Sequence, residues 1–258
     1  MTLTRHDWDM LLIAQDADVR LEAIQQEGLL QATFPALQTL VGFGGQDSGH
    51  KDLWAHTKQV VIQTVPQVLC RWAALFHDVG KPQSFTRVDG KIAFHHHEET
   101  SARIFKRVAR ETALFQPGEL DEITFVIRHL GHVEAYESDW TDSAIRRLTR
   151  ELGTHLDSVF AVARADCTTA RPEKRQRQLK RVHELRTRID TLAALDAVPP
   201  ALPTGLGDVL MQRLGMQPGP EFGAVMRGLK ARVEAGELPR NADFEVYLAT
   251  LDKQRGGL

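Results

Sequence analysis

An apolar run with helical spacing, Pro66 to Phe76, ends directly on the dipeptide His77-Asp78, and this junction constrains the chain more than any other feature. The spacing predicts a buried helix that stops at Gly80, where glycine would adopt the left-handed cap and Pro82 would prevent continuation. His77 and Asp78 then lie in its last turn, where unpaired carbonyl groups favour a cation. The pair is a candidate metal site, although a His-Asp pair alone is more often an ordinary helix end.

Other ligand-type residues occur in similar settings along the chain. His56 lies in an apolar helix that Asp52 can cap, so its side chain can face inward. Asp166 closes the apolar run Leu156 to Ala165, where a carboxylate would be costly to bury unpaired. His129 is the last residue but one of the run Leu120 to Leu130, and Gly131 directly follows that run. The placement repeats the pattern of His77.

Three consecutive histidines, His95, His96 and His97, precede Glu98 and a helix predicted from Glu98 to Arg110. Three successive side chains in regular structure cannot all face one ion. One or two of them are therefore candidate ligands, and the spacing does not select which. The preceding segment contains Asp89-Gly90, which predicts a hairpin turn or an exposed loop.

The charge balance excludes a globally basic nucleic-acid binder, because 258 residues carry a formal net charge of −2 and a pI near 6.6. A local basic face is still available, since lysine and arginine crowd the helical stretch from Arg171 to Arg188. This stretch predicts either a solvated helix face or a surface that binds phosphates. Few aromatic residues interleave it, so base stacking is not indicated.

The chain as a whole predicts an all-α protein. We expect a helical core over residues 1–197, a Pro-rich linker, and a small helical unit over residues 206–258. Cys70 and Cys167 suit a reducing compartment and give no zinc-finger spacing. Because no apolar stretch is long enough for a membrane span and the start lacks a signal-peptide core, we expect a soluble cytoplasmic protein.

The order His56, His77-Asp78, Asp166 resembles the signature of the HD-domain metal-dependent phosphohydrolases. The chain is most similar to one branch, the carboxyl-terminal HD region of bacterial tRNA nucleotidyltransferases, the CCA-adding enzymes. The resemblance to this branch rests on several segments, namely Gln26-Glu27-Gly28-Leu29-Leu30, Phe34-Pro35, Lys51-Asp52-Leu53-Trp54-Ala55-His56-Thr57, Leu214 to Gly223 around Pro218-Gly219-Pro220, and Gly236-Glu237-Leu238. These 258 residues contain no glycine-rich turn with paired carboxylates of a nucleotidyltransferase head, so we do not expect CCA addition from them.

The resemblance implies an HD-domain helical bundle that hydrolyses a phosphoester. It implies a first metal shell of His56, His77, Asp78 and Asp166, with His97 the matching position among the three histidines. If a second ion binds, Asp78 would bridge the two ions, and His97 with His129 would complete the second shell. Histidine and carboxylate ligands suit a transition ion such as Mn, Ni, Co, Fe or Zn, while Mg, which prefers oxygen ligands, is the alternative.

Two further residues are candidates for contact with substrate. Lys81 follows the His77-Asp78 pair and can meet a substrate phosphate as a point charge, and Arg171 follows Asp166 by five residues. From the branch we expect a nucleotide or an RNA 3′ end as substrate, including 2′,3′-cyclic phosphates and 2′- or 3′-monophosphates. Two other classes stay open: a non-catalytic RNA (tRNA)-binding or accessory module derived from a nucleotidyltransferase body, and a purely structural helical protein.

Overall fold

The computed structural model describes residues 3–44, 52–88, 91–169 and 171–255, and the regular secondary structure of these residues is helical apart from one two-stranded sheet. The all-α prediction is therefore confirmed. The chain divides into two compact units, Met1–Asp190 and Thr191–Leu258, and the division falls inside a long helix. No helix among the described residues has the length and apolar character needed to cross a membrane.

Most helices of the first unit have 11 residues or fewer. In chain order they are α1 (Arg5–Ile13), α2 (Ala17–Gln26), α3 (Leu29–Thr33), α4 (Pro35–Gln38), α5 (Leu53–Gln63), α6 (Val68–Phe76), α7 (Lys81–Ser84), α8 (His97–Thr112), α9 (Pro117–Glu134), α10 (Asp142–Leu152) and α11 (Leu156–Asp166). A single 3-10 turn, Gly153–His155, joins α10 to α11. The helix α12 (Pro172–Ala197) runs across the division between the units.

Local side-chain caps fix where several helices begin. The Asp52 carboxylate accepts a hydrogen bond from the Ala55 N–H at 2.8 Å and so starts α5. The Thr141 hydroxyl accepts one from the Ala144 N–H and starts α10. Each cap satisfies a backbone donor that has no partner inside its own helix. The predicted cap of the helix that carries His56 is therefore present.

Helix α6 is the centre of the first unit. It packs against α1, α5, α8, α9 and α11. Seven consecutive residues, Cys70–Phe76, are buried, so every side of the helix faces protein. Trp72 and Phe76 stack on each other and meet the aromatic rings of Phe34 and Phe115. This burial directs the C-terminal end of α6, with His77 and Asp78, into the interior.

The prediction that Gly80 forms a left-handed cap is wrong. Helix α6 ends at Phe76, and Gly80 has a φ of −83° in the right-handed region. Glycine is needed because the backbone of α8 lies against it: an added Cβ would lie 2.6 Å from the His97 carbonyl oxygen and 2.6 Å from the Ser101 nitrogen. The Gly80 N–H also donates to the Ser101 hydroxyl at 2.8 Å.

Gly131 likewise does not end its helix, because α9 continues to Glu134. An added Cβ at Gly131 would lie 2.6 Å from Oε1 of Glu98 on α8, so this glycine also permits close packing. Helices α8 and α9 pack extensively against each other. His129 therefore lies five residues before the end of α9 and not in its last turn.

Two strands form an antiparallel hairpin between α7 and α8. Strand β1 (Phe85–Val88) pairs with β2 (Lys91–Phe94), with Phe85 opposite Phe94. The predicted turn residues Asp89 and Gly90 lie outside the described residues. After β2, His96 takes a left-handed conformation with a φ of 55°, and α8 begins at His97.

The second unit contains α13 (Leu206–Leu214), α14 (Pro220–Glu234) and α15 (Phe244–Arg255). Leu206, Leu210, Leu229 and Val233 are buried in its core together with Tyr247. The Tyr247 hydroxyl donates to the Pro239 carbonyl at 2.6 Å and accepts from the Ala242 N–H at 3.0 Å, so its polar end is satisfied. The division between the units lies between Asp190 and Thr191, and the limits expected from the sequence, at residues 197 and 206, stay a prediction.

Candidate metal centre

Four predicted ligands converge inside the first unit, and we call His56, His77, Asp78 and Asp166 the central cluster. His56 comes from the first turn of α5, His77 and Asp78 follow α6, and Asp166 ends α11. Five pairs of their ligand atoms, each including a histidine, lie 2.9 to 3.5 Å apart: His56 Nε2 to Asp166 Oδ1 2.9 Å, His56 Nε2 to Asp78 Oδ2 3.1 Å, His77 Nε2 to Asp78 Oδ2 3.3 Å, His77 Nε2 to His56 Nε2 3.3 Å, and His77 Nε2 to Asp166 Oδ1 3.5 Å.

Backbone and side-chain partners orient both imidazoles. His77 Nδ1 donates to the Ala74 carbonyl at 2.7 Å, which leaves the Nε2 lone pair for the cluster. His56 Nδ1 lies 2.8 Å from the Thr168 hydroxyl, and this contact orients the His56 ring so that its Nε2 also faces the cluster. Outer partners of this kind set the tautomer and the orientation of a metal-binding histidine.

The electrostatics of the central cluster show that it attracts cations. Burial disfavours a proton on His77, but the charge of Asp78 and the contact with Asp166 outweigh it and raise the pKa of His77 to about 10. Burial alone would raise the pKa of Asp78, yet the charges of His77 and Lys81 lower it well below its usual range. The pKa of Asp166 is likewise lowered, against the effect of burial, by hydrogen bonds from His56 and His77. Protons and a metal ion would compete for the same atoms.

The arrangement fits a divalent ion by its distances and by its buried carboxylate oxygens. Ligand atoms bonded to one ion at about 2.0–2.2 Å are separated by about 3.0 Å in octahedral and about 3.3–3.6 Å in tetrahedral geometry, which spans the observed range. Asp78 Oδ1 and Asp166 Oδ1 are buried atoms, and the contacts described for them are with imidazole nitrogens, of His97 for Asp78 and of His56 and His77 for Asp166. Buried carboxylate oxygens are costly unless a cation or a donor satisfies them. The ligand atoms of His56, His77 and Asp166 all lie within 4.8 Å of one another.

Lys81 and His97 both contact Asp78. Lys81 Nζ lies 2.6 Å from Asp78 Oδ2, and burial of the ammonium group is outweighed by the charges of Asp78 and Asp166, so the pKa of Lys81 is raised. His97 Nδ1 donates to the Phe94 carbonyl at 3.0 Å, and its Nε2 lies 3.4 Å from Asp78 Oδ1. His95 and His96 are exposed, so His97 is the histidine of the three that the structure places beside Asp78.

His129 occupies a different place from the one expected for a ligand of a second ion beside His97. Its Nε2 faces Glu151 Oε1 at 3.6 Å, and it groups with His132 and Glu151 instead. Glu134, five residues later on the same helix, is the α9 residue that meets Asp166. Five residues turn a helix by about 500°, so His129 and Glu134 point about 140° apart. Burial lowers the pKa of His129.

Glu134 is a residue that the sequence reasoning missed. Its side chain is exposed to solvent on one side, but its carboxyl group interacts with Asp166 and with the charges of Lys81 and Asp78. Desolvation and the negative charge of Asp166 raise the pKa of Glu134. Its helical spacing could have identified it. Glu134 lies four residues after Leu130 and seven after Ile127, which are both buried, so all three share one face of α9.

Arg171 is exposed immediately before α12, and its own backbone N–H bonds the Thr169 hydroxyl at 3.4 Å. The later arginines of the basic stretch have protein partners. Arg181 bonds the Tyr136 carbonyl and Glu137, Arg186 bonds Asp157, and Arg188 bonds Asp142 at 3.0 Å. Part of the basic stretch therefore holds residues 172–190 of α12 against the rest of the first unit.

The sequence profile of the HD domain matches residues 54–194, which is more than half of the chain and includes every member of the central cluster. An all-helical fold with a His, His-Asp and Asp cluster at helix ends agrees with that match. The chain belongs to the HD domain family.

Two curated proteins are similar to the chain over most of its length. The A-adding tRNA nucleotidyltransferase of Deinococcus radiodurans is 29% identical over 243 residues, which cover 91% of this chain and 54% of that protein. The CC-adding tRNA nucleotidyltransferase of Thermus thermophilus is 30% identical over 254 residues, which cover 96% of this chain and 55% of that protein. The chain thus spans about half the length of these relatives.

Proposed function

We propose that the chain is a metal-dependent phosphohydrolase that acts on phosphoesters of nucleotides or RNA ends, of the 2′,3′-cyclic phosphodiesterase or phosphatase type. The observation that carries this proposal is the central cluster, in which the two oriented imidazoles of His56 and His77 each lie within 3.5 Å of the carboxylates of Asp78 and Asp166. A purely structural helical core gains nothing from this arrangement, because uncompensated polar groups in the interior cost stability.

In this proposal His56, His77, Asp78 and Asp166 hold a divalent ion. A transition ion such as Mn, Ni, Co, Fe or Zn is favoured by the two imidazole ligands, and Mg is the alternative. When bound, such an ion lowers the pKa of water and polarises a phosphoryl oxygen. Asp78 Oδ1 faces His97 Nε2, so this pair is available to a second ion.

The surrounding residues have roles that follow from their contacts. Thr168 and the Ala74 carbonyl keep the two imidazoles oriented. Lys81 partly neutralises Asp78, and we propose that its remaining N–H groups donate to a non-bridging oxygen of the substrate phosphate. Arg171, which is exposed, would contact a more distant phosphate. In hydrolysis a water oxygen bonds to phosphorus, the ester P–O bond breaks, and the leaving alkoxide takes up a proton.

A specific observation favours a second candidate, a non-catalytic RNA-binding module. Arg171, Lys174, Arg177 and Lys180 are exposed at the start of α12, and both relatives are tRNA nucleotidyltransferases by name. Such cations can bind an RNA backbone without turnover. The central cluster argues for the first candidate, because binding to phosphates alone does not require buried imidazoles and carboxylates.

The test uses protein purified without a histidine tag. Its metal content is measured, and 2′,3′-cyclic nucleotides, nucleoside 2′- and 3′-monophosphates and dNTPs are assayed with Mn, Ni, Co or Mg. We expect metal-dependent turnover of at least one phosphoester, abolished in Asp78→Ala and in the closer isostere Asp78→Asn, while Asp139→Ala, which removes an exposed carboxylate, retains it. Circular dichroism confirms that each variant is helical.

Turnover that survives in both folded Asp78 variants would remove the reaction from the central cluster. If the protein binds no metal and hydrolyses none of these compounds, the hydrolase proposal fails, and the RNA-binding module becomes the better account.

A further inference from the structure

A second group of ligand-type side chains lies on the opposite edge of α9 from Glu134. It consists of His129 and His132 on α9 and Glu151 on α10, and we call it the outer cluster. His132 Nδ1 lies 3.3 Å from Glu151 Oε1, and His129 Nε2 lies 3.6 Å from the same oxygen. The three ligand atoms are all within 4.8 Å of one another.

These separations match the edges of a tetrahedral metal site. With metal–ligand bonds of about 2.0–2.2 Å, two ligands of a tetrahedral ion are about 3.3–3.6 Å apart. The two histidines are three residues apart on one helix, a spacing that places their side chains on the same face. Their rings meet edge to face at 5.1 Å between centroids, so neither ring blocks the other from a shared ion.

The ring of His129 is fixed in the orientation that a ligand requires. His129 Nδ1 donates to the Phe125 carbonyl at 2.8 Å, and the ring stacks on Phe125 with centroids 3.8 Å apart. In that tautomer Nε2 carries a lone pair, and the lone pair faces the Glu151 carboxylate. Two acceptors that face each other are stabilised by a cation between them. His132 and Glu151 are about half exposed, at 46% and 42%, so an ion can enter from solvent.

We propose that His129, His132 and Glu151 form a transition-metal site separate from the central cluster. Two imidazoles and one carboxylate suit zinc, nickel, cobalt or copper better than magnesium or calcium. Three protein ligands would leave a fourth position for water. A bound ion would join α9 to α10, both of which also pack against α11. The proposal is independent of phosphoester hydrolysis.

The experiment counts zinc and cobalt bound by the untagged chain of 258 residues, by equilibrium competition with a chromophoric chelator. The variants are His132→Ala and Glu151→Gln, which change half-exposed side chains and leave the buried His129 ring in place. His155→Ala is the matched control, because His155 also contacts the Phe125 ring but is not part of the outer cluster. The same measurements are made in an Asp78→Asn background.

We expect His132→Ala and Glu151→Gln each to lose one bound equivalent, or to weaken one class of site by at least tenfold, with His155→Ala unchanged. In the Asp78→Asn background, zinc should raise Tm, and the added His132→Ala substitution should remove that rise. The proposal is overturned if both outer-cluster variants bind metal like the parent chain. Phosphoester turnover measured on His132→Ala separates the two proposals, since loss of the outer ion should leave turnover at the central cluster intact.

Discussion

The central cluster and the basic stretch from Arg171 to Arg188 are equally conspicuous in the sequence, but their side chains have different partners. In the central cluster, imidazoles and carboxylates face one another, and the buried oxygens of Asp78 and Asp166 contact other ligand-type side chains. In the basic stretch, Arg181, Arg186 and Arg188 already pair with acceptors of the first unit. The exposed cations are confined to the first turns of α12.

This difference shows that residue type alone does not identify a free functional group. A charged side chain acts on a ligand only if the protein has not already satisfied it. By that criterion the carboxylates and imidazoles of the central cluster are available to bind a cation. The arginines in the second half of the basic stretch have a structural role instead. Experiments that change the partners, instead of the conspicuous residues themselves, test the comparison.

The largest expected effect is the pH dependence of metal binding at the central cluster. Without metal the pKa of His77 is about 10, so a metal ion must displace a proton at pH 7 to 9. Affinity should rise about tenfold per pH unit for each proton displaced. Chelator competition at pH 7, 8 and 9 measures it, and an affinity that does not change across this range would contradict the assignment of His77 as a ligand.

The same raised pKa predicts the stability of the metal-free protein. Protonation of His77 stabilises the folded state fully below its ordinary value of 6.5, and this contribution is lost as pH rises to about 10. Thermal unfolding with a chelator present should therefore show Tm falling across that window. Saturating metal should reduce the fall, because the ion replaces the proton.

Removing an outer partner of His56 should weaken metal binding without changing a ligand. Thr168→Val keeps the side-chain shape but removes the hydroxyl that lies 2.8 Å from His56 Nδ1. We expect a loss of about 10–100-fold in metal affinity. Thr124→Val is the control, since the Thr124 hydroxyl is buried and has no hydrogen-bond partner among the described residues. Equal affinity in the two variants would mean that Thr168 does not position the ligand.

Gly80→Ala should destabilise the fold because its Cβ would lie 2.6 Å from backbone atoms of α8. Overpacking of this kind costs about 1–3 kcal/mol in the free energy of unfolding. Gly118→Ala is the matched control: nothing lies within 4 Å of its Cβ position, and alanine favours a helix by up to about 1 kcal/mol. Urea denaturation distinguishes them, and equal stability would show that α7 and α8 separate at little cost.

The smallest effect is expected at the start of α12. If this surface binds RNA, replacing Lys174, Arg177 and Lys180 by glutamine should weaken binding and flatten the plot of log affinity against log salt by about 0.7 per lost contact. Arg175 is left unchanged because its Nε donates to the Cys167 carbonyl at 3.0 Å. The triple replacement of Arg103, Lys106 and Arg110 on α8 controls for net charge. An unchanged slope would identify the α12 cations as a solvated face.

The sequence was sufficient to predict the all-α fold and to place His77 and Asp78 at the inward end of a buried helix, because both depend on local periodicity. Gly80 and Gly131 were both predicted to end a helix, and neither does. A glycine that ends a helix and a glycine that lets a neighbouring helix approach closely look the same in the sequence. The direction of His129 and the contact of Glu134 with Asp166 depend on how α9 packs against α10 and α11. Such packing is set by distant parts of the chain and leaves no local pattern.

The most direct measurement is anomalous X-ray diffraction at the absorption edge of manganese or nickel, from crystals of the untagged chain grown with that ion. We predict a peak bonded to His56, His77, Asp78 and Asp166 at about 2.0–2.3 Å. Fully occupied metal elsewhere in the molecule, with no peak at these four residues, would contradict the assignment of the central cluster as the metal centre.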